Sequence, residues 1–152
     1  MDNVTTEFLD SLPRDVEEAV RKGQEEYEAG HGIVCHYKPF SIVFRNSAGQ
    51  AVGVLSAYTA FAEIYVDDIW VDADYRGNGL GRKLLEALEN LYRDKGFNNI
   101  NLVTSQFQAV GFYEKCGYEV EFVRTNEHHP MLSKTFFVKY FDGEPQTRGI
   151  VG

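Results

Sequence analysis

The 152-residue sequence predicts a mixed α/β fold, a central sheet of mixed sense flanked by helices in a single domain. Three observations carry that expectation. Across residues 40–71 the sequence reads as strands separated only by short breaks, so neighbouring strands are antiparallel. Leu80, Leu84, Leu85, Leu88 and Leu91 then recur at helical spacing and give one broad apolar stripe. A short β-run, NINLVTS, follows that helix. A strand, a helix and a further strand form a crossover, which requires a parallel pair and a right-handed connection.

The elements follow in order. Residues 12–29 read as a helix, with Ser11 as cap, Pro13 in the first turn, and Gly30 and Gly32 at the end. Val16, Ala19, Val20 and Tyr27 give it a modest apolar side, and Gly23 is expected to weaken it, dividing it in two. Phe40, Ile42 and Phe44 alternate with Ser41, Val43 and Arg45, NSAGQ is a turn signal, and a second strand spans 51–58 with Gly53 as a candidate bulge. A break at 59–62 leads into EIYVDDIWV, rich in β-branched and aromatic residues. Gly96 should stop the leucine helix, with Arg93 and Lys95 in its last turn. Residues 109–115 form a short helix closed by Cys116-Gly117, and 118–125 and 134–141 are two further strands. One domain covers residues 1–152, with its core over about 33–141 and a turn-rich, mobile tail at 142–152.

Composition narrows the class. A hydrophobic fraction of 43% is ample for one core, which argues against disorder. No run approaches the roughly 18 apolar residues of a membrane span. The start, MDNVTTEFLDS, lacks the basic and apolar stretches of a signal peptide, so a cytoplasmic location is expected. Cys35 and Cys116 are too few for a disulfide framework or zinc site, and Cys35 and His36 would point to opposite faces of an extended chain. No metal is expected. The net charge of −8 disfavours nucleic acid as the main partner and mildly favours a cationic one, beyond its plainer role in solubility.

The stretch YRGNGLGRKLLEALENL concentrates the chemistry. A Walker loop would need Gly-Lys-Ser/Thr at its end, where this chain has Gly81-Arg82-Lys83. A dinucleotide fingerprint would need glycine where Arg82 stands. Arg76, Gly79 and Gly81 instead fit R-x-x-G-x-G between a strand and a helix. The first helical turn offers unpaired N–H groups and the positive end of the dipole, and glycines let a phosphate approach them. A plain tight turn is the competing reading of the loop by itself.

Together, IWVDADYRGNGLGRKLLEAL, the strand NINLVTS and QAVGFYEKCGY resemble the GNAT superfamily of acetyl-CoA-dependent N-acetyltransferases. The likeness covers about residues 40–141, is nearest to the small bacterial members, and extends in FAEIY to the histone-acetyltransferase branch. It implies that Glu63–Val71 splays from Asn99–Ser105 to hold the pantetheine arm, lined by Ile69, Trp70 and Val71. It implies that Arg76, Gly77, Asn78, Gly79, Leu80, Gly81 and Arg82 bind the pyrophosphate, with Ala109 and Phe112 also at the cofactor. Many members carry Asn where this chain has Gln106, whose amide could reach similarly.

The implied chemistry is acetyl transfer to a small-molecule or peptide amine, cationic for preference, with neither nucleic acid nor membrane as partner and with a homodimer left open. An amine is mostly protonated at neutral pH, so a base is needed. Glu63 and Asp67 are the candidate bases, because on a regular strand they share a face with Tyr65 while Asp68 points away; a bulge would shift that parity. Tyr113 matches the family's general acid for the leaving thiolate, and the Val71 N–H would meet the oxyanion. The alternatives are a non-catalytic acyl-CoA sensor and an oligomer-forming role for the tail. His128-His129 reads as a solvated turn bordering the acceptor cleft, and Cys116 as a small buried hydrophobe.

Overall fold

A computed structural model describes residues 3–141; the tail at 142–152 lies outside the described residues. The chain forms two compact units, Met1–Cys35 and His36–Gly152.

The first unit contains α1, Arg14–Gly30. It runs unbroken through Gly23, contrary to the expected division. One interior glycine costs only about 1 kcal/mol, and the flanking i,i+4 pairs Arg21–Glu25 and Lys22–Glu26 return part of that. Pro13, not Ser11, occupies the N-cap, and among the described residues no side chain caps the first turn. The helix ends where expected, with Gly32 at φ 72° donating its N–H to the Ala29 carbonyl.

The second unit is built on β1 (Lys38–Arg45), β2 (Ala51–Ala60), β3 (Glu63–Val71), α2 (Leu80–Tyr92), β4 (Asn99–Ser105), α3 (Val110–Lys115), β5 (Glu119–Arg124) and β6 (Lys134–Tyr140). Six strands make one sheet in the order β1-β2-β3-β4-β6-β5. Every neighbouring pair is antiparallel except β3 and β4, the joint that α2 crosses over. Leu84, Leu85 and Leu88 of α2 pack with Leu55, Ile64, Ile100 and Phe137 of the sheet into one core. Gly53 stays in register opposite Phe44, so the bulged residue of β2 is its neighbour Val52. A Cβ at Gly53 would lie 3.4 Å from Leu84 Cδ1, an ordinary contact, so the packing of α2 leaves room for a small side chain there.

Helix α2 stops at Tyr92, before the turn formed by residues 93–96, and neither Arg93 nor Lys95 is in its last turn. Within the helix Leu91 is exposed, whereas Glu89 is buried. Its carboxylate is 2.6 Å from the Lys139 ammonium, which also donates to the Cys116 carbonyl at 3.0 Å. The β2–β3 connection is only Phe61 and Ala62, with Phe61 at φ 55°. Positive φ at the first turn position alone favours glycine there, and a bulky side chain in this region costs about 1 kcal/mol.

Candidate active site

Strand β3 pairs with β4 only at Glu63↔Asn99, Ile64↔Ile100 and Tyr65↔Asn101. Beyond Tyr65 the two strands separate, as the family likeness implied. An irregularity in β3 lies just beyond that point. Against β2 it pairs Ala57↔Val66 and Ser56↔Asp68, which leaves Asp67 as an extra residue. A bulge bends its strand and increases the local twist. It also resets the faces. Ile64 and Val66 are buried before it, and Ile69 and Val71 are half-buried after it. Glu63, Tyr65, Asp68 and Trp70 therefore share the opposite face, through their partners Ala60, Tyr58, Ser56 and Val54. The regular-strand expectation for Asp68 is thus reversed, because the inserted residue consumes one step of alternation.

The end of β3 is fastened to the loop that follows. Arg76 Nε donates to the Val71 carbonyl at 3.1 Å, and Asp72 Oδ1 accepts from Asp74 N at 2.9 Å. Gly77 and Gly79 have φ of 80° and 77°, and among the described residues nothing lies within 4 Å of an added Cβ. They are glycines for their backbone conformation, beside open space. Gly81 is different: a Cβ there would lie 2.9 Å from Phe112 Cζ. Its bareness is required by the packing of α3 on α2. The amides of the first α2 turn face no helical acceptor, a consequence of any helix start.

A cavity of about 490 Å³ opens at this point. Ile69 and Val71 of β3 form one side, with Ala109, Phe112 and Tyr113 of the α3 region on another. Arg76, Gly77, Gly79, Leu80, Gly81 and Arg82 supply the loop and helix start. Tyr75 and Lys115 also line it, and sequence reasoning missed both; each stood inside a quoted motif, at YRGNGLG and FYEKCGY. Among the described residues, Arg76, Arg82 and Lys115 bring three cations to its wall and no lining residue is acidic, in a chain of net charge −8. One Arg82 guanidinium nitrogen donates to the Lys115 carbonyl at 2.9 Å, tying α2 to the end of α3.

Five expected residues stand outside that lining. Trp70 is exposed, turned away by the alternation that brings in Ile69 and Val71. Asn78 turns its amide back to the carbonyls of Tyr75 and Arg76, at 3.2 and 3.4 Å. Gln106 donates its backbone N–H to the Ser133 carbonyl, while Gln108 is the amide wired into the loop, accepting from Thr104 Oγ1 and Ser105 N. Glu63 sits where β3 and β4 are still paired, accepting from the Tyr65 hydroxyl and from Asn99 Nδ2 at 3.2 Å. Asp67, at the bulge, is exposed.

Tyr113 is half-buried, edge-on to Phe112 at 5.1 Å and 5.5 Å from the Phe137 ring. Burial raises its pKa, and the neighbouring Cys116 and Asp68 charges raise it further. The phenol therefore keeps its proton well into the alkaline range, as a proton donor must. Asp68 is the strand carboxylate whose charge reaches it. The 126–133 segment is hydrogen-bonded to the loop entering α3, with Phe107 N donating to Met131 O at 3.1 Å.

Comparison with known proteins agrees with this architecture. A sequence model of the Acetyltransferase (GNAT) family matches residues 3–118. A blasticidin-S acetyltransferase of Streptomyces morookaense is 37% identical over 73 residues, 47% of this chain and 54% of that protein. The chain spans about half the length of the curated relatives it matches. The crystal structure of an acetyltransferase from Bacillus cereus superposes with a TM-score of 0.71 at 27% identity, over 88% of this chain and 97% of the other. An aminoglycoside 6'-N-acetyltransferase complexed with coenzyme A shares the fold at 18% identity, with a TM-score of 0.62 over 70% of this chain and 75% of the other.

Proposed function

The chain belongs to the acetyltransferase (GNAT) family, and from that premise we propose that it is an N-acetyltransferase moving acetyl from acetyl-CoA to a primary amine in a ternary complex. The observation that carries this reading is the opening between β3 and β4 leading to a cavity walled by a glycine loop, three cations and Tyr113. The pyrophosphate would lie at Gly77–Gly81, where the α2 amides and the cations suit an anion. The pantetheine arm would run between the strands past Ile69 and Val71. The amine nitrogen attacks the thioester carbonyl carbon, the C–S bond breaks, and Tyr113 gives its proton to sulfur while a carboxylate takes the proton from nitrogen. Glu63, Asp67 and Asp68 are the candidate bases. Their charge, with the −8 of the chain, favours a cationic acceptor, small molecule or peptide.

The test is thiol release from acetyl-CoA across a panel of primary amines, with products read by mass spectrometry. At least one amine should gain an acetyl group. Tyr113→Phe should lower turnover more than it weakens acetyl-CoA binding, and unchanged turnover would remove the acid role. Acetyl-CoA binding with no transfer to any amine would favour a non-catalytic sensor.

A further inference from the structure

A second cavity, of about 700 Å³, lies at the other end of α2. Thirteen residues rising 1.5 Å each place it about 20 Å from the glycine loop. Its apolar lining is aromatic: Tyr37, Phe61, Tyr92 and Phe97. Tyr92 and Phe97 meet edge-to-face at 5.3 Å and 87°, and Tyr92 is also held by Phe40 at 5.2 Å, so the wall is fixed. Lys38 and Lys95 stand in the lining with His36, and among the described residues no lining residue is acidic. Among the described residues neither lysine makes an ion pair, in a chain where acids outnumber bases 23 to 15.

The backbone marks the same place. Among the described residues only His36, Phe61 and Asp94 are non-glycine residues with positive φ. Two line this cavity and the third precedes Lys95. The His36 carbonyl is held by Thr59 Oγ1 at 2.8 Å. Phe61 keeps a ring in the lining at a turn position that glycine would occupy without strain. Unfavourable backbone gathered around one cavity is a feature of ligand sites.

We propose that this cavity is a binding site for a small aromatic anion, a single ring carrying a carboxylate or a phosphate, separate from the acetyl-transfer site. The ring packs on the aromatic wall. The anion meets the Lys38 and Lys95 ammonium groups.

The experiment is titration of the ¹⁵N-labelled full chain with benzoate and with phenyl phosphate, using neutral benzamide as the control. Benzoate or phenyl phosphate should shift the amides of Phe61, Gly96 and Phe97 saturably, and which binds tighter identifies the charged group. Benzamide should bind about tenfold more weakly. The double substitution Lys38→Ala/Lys95→Ala should weaken the anion by at least about tenfold. It should leave the spectrum otherwise folded and the response of Gly77 and Gly79 to coenzyme A unchanged. Three outcomes overturn the proposal: no saturation by either anion, benzamide equal to the anions, or shifts confined to residues 77–81. None depends on acetyl transfer, so failure here leaves the proposed activity standing.

Discussion

Gly81→Ala separates two reasons for a glycine at the start of α2. A glycine kept for ligand approach would leave an added methyl in open space, as at Gly77 and Gly79. At Gly81 the added Cβ would sit 2.9 Å from Phe112 Cζ and 3.3 Å from Cε1. Carbon atoms rest comfortably at about 3.5–4.0 Å, so the ring must retreat by roughly 0.6–1 Å. Phe112 has Tyr113 edge-on at 5.1 Å and lies against the core, so the retreat moves α3 with it. Overpacking of this kind costs about 1–3 kcal/mol. Alanine returns up to about 1 kcal/mol of helix propensity. The net expectation is a loss of about 1 kcal/mol, a fall of about 2–4 °C in Tm for a chain this long. Thermal unfolding measures that loss, and Phe112→Leu in the same background should recover it. Turnover should fall further than stability alone explains, because Tyr113 rides on the displaced helix and small misplacements are costly to rate. A higher Tm together with unchanged acetyl transfer would refute the reasoning and make Gly81 an ordinary helix glycine.

Asp68→Asn should move the alkaline limb of the kcat–pH profile to lower pH. Asp68 raises the Tyr113 pKa, so removing its charge lets the phenol ionise earlier; an unmoved limb would show that this phenol does not govern the rate. Among the described residues the buried Tyr118 hydroxyl has no partner in hydrogen-bonding geometry, while burial first and the Glu89 charge next push its pKa far up. A folded pKa above the unfolded one gives stability that is full below about pH 10 and lost as pH rises further. Tyr118→Phe should therefore be neutral or stabilising by about 1 kcal/mol in urea unfolding at pH 7, with a shallower alkaline decline. A clear loss at pH 7 would mean that the hydroxyl bonds to Glu89.

Most of the fold was legible because it rests on periodicity. The period-two runs placed β1, β2 and β3, and the leucine spacing placed α2 between β3 and β4. What periodicity does not carry is an inserted residue. VDDIW reads as a continuous strand, and nothing in its composition says that Asp67 drops out of register. That one step decided which acids face Tyr65 and why Trp70 leaves the cavity while Ile69 and Val71 stay. The leucine stripe likewise nominated Leu91, whereas the helix ends one residue later and Glu89 is buried by an ion pair to a strand 50 positions away. Such a pairing is a property of the tertiary fold. The glycine loop was legible as a loop, yet the separate reason for Gly81 depended on Phe112, which only the packing of α3 brings near.

The same inserted residue sits where β3 leaves β4, and its bend is the expected cause of the opening, which deleting it tests. Pairing with β4 ends at Tyr65↔Asn101, and Asp67 follows two residues later. Without Asp67, Val66 would still oppose Ala57 and Asp68 would still oppose Ser56, so every side chain keeps its face and the core keeps its contents. What disappears is the bend and extra twist. A regular β3 would continue alongside β4, and the residues after Asn101 would gain ladder hydrogen bonds on that side. The deletion should therefore preserve or raise Tm while closing the cleft. Amide hydrogen exchange in β4 should slow beyond Asn101, and acetyl-CoA affinity should fall by at least about tenfold, since in the proposed binding mode the pantetheine arm and the new ladder would compete for one row of backbone groups. Unchanged exchange with full acetyl-CoA affinity would assign the opening to the loop at Arg76 rather than to the bulge. A lower Tm with lost affinity would mean that the bulge serves the core as well, contrary to the register.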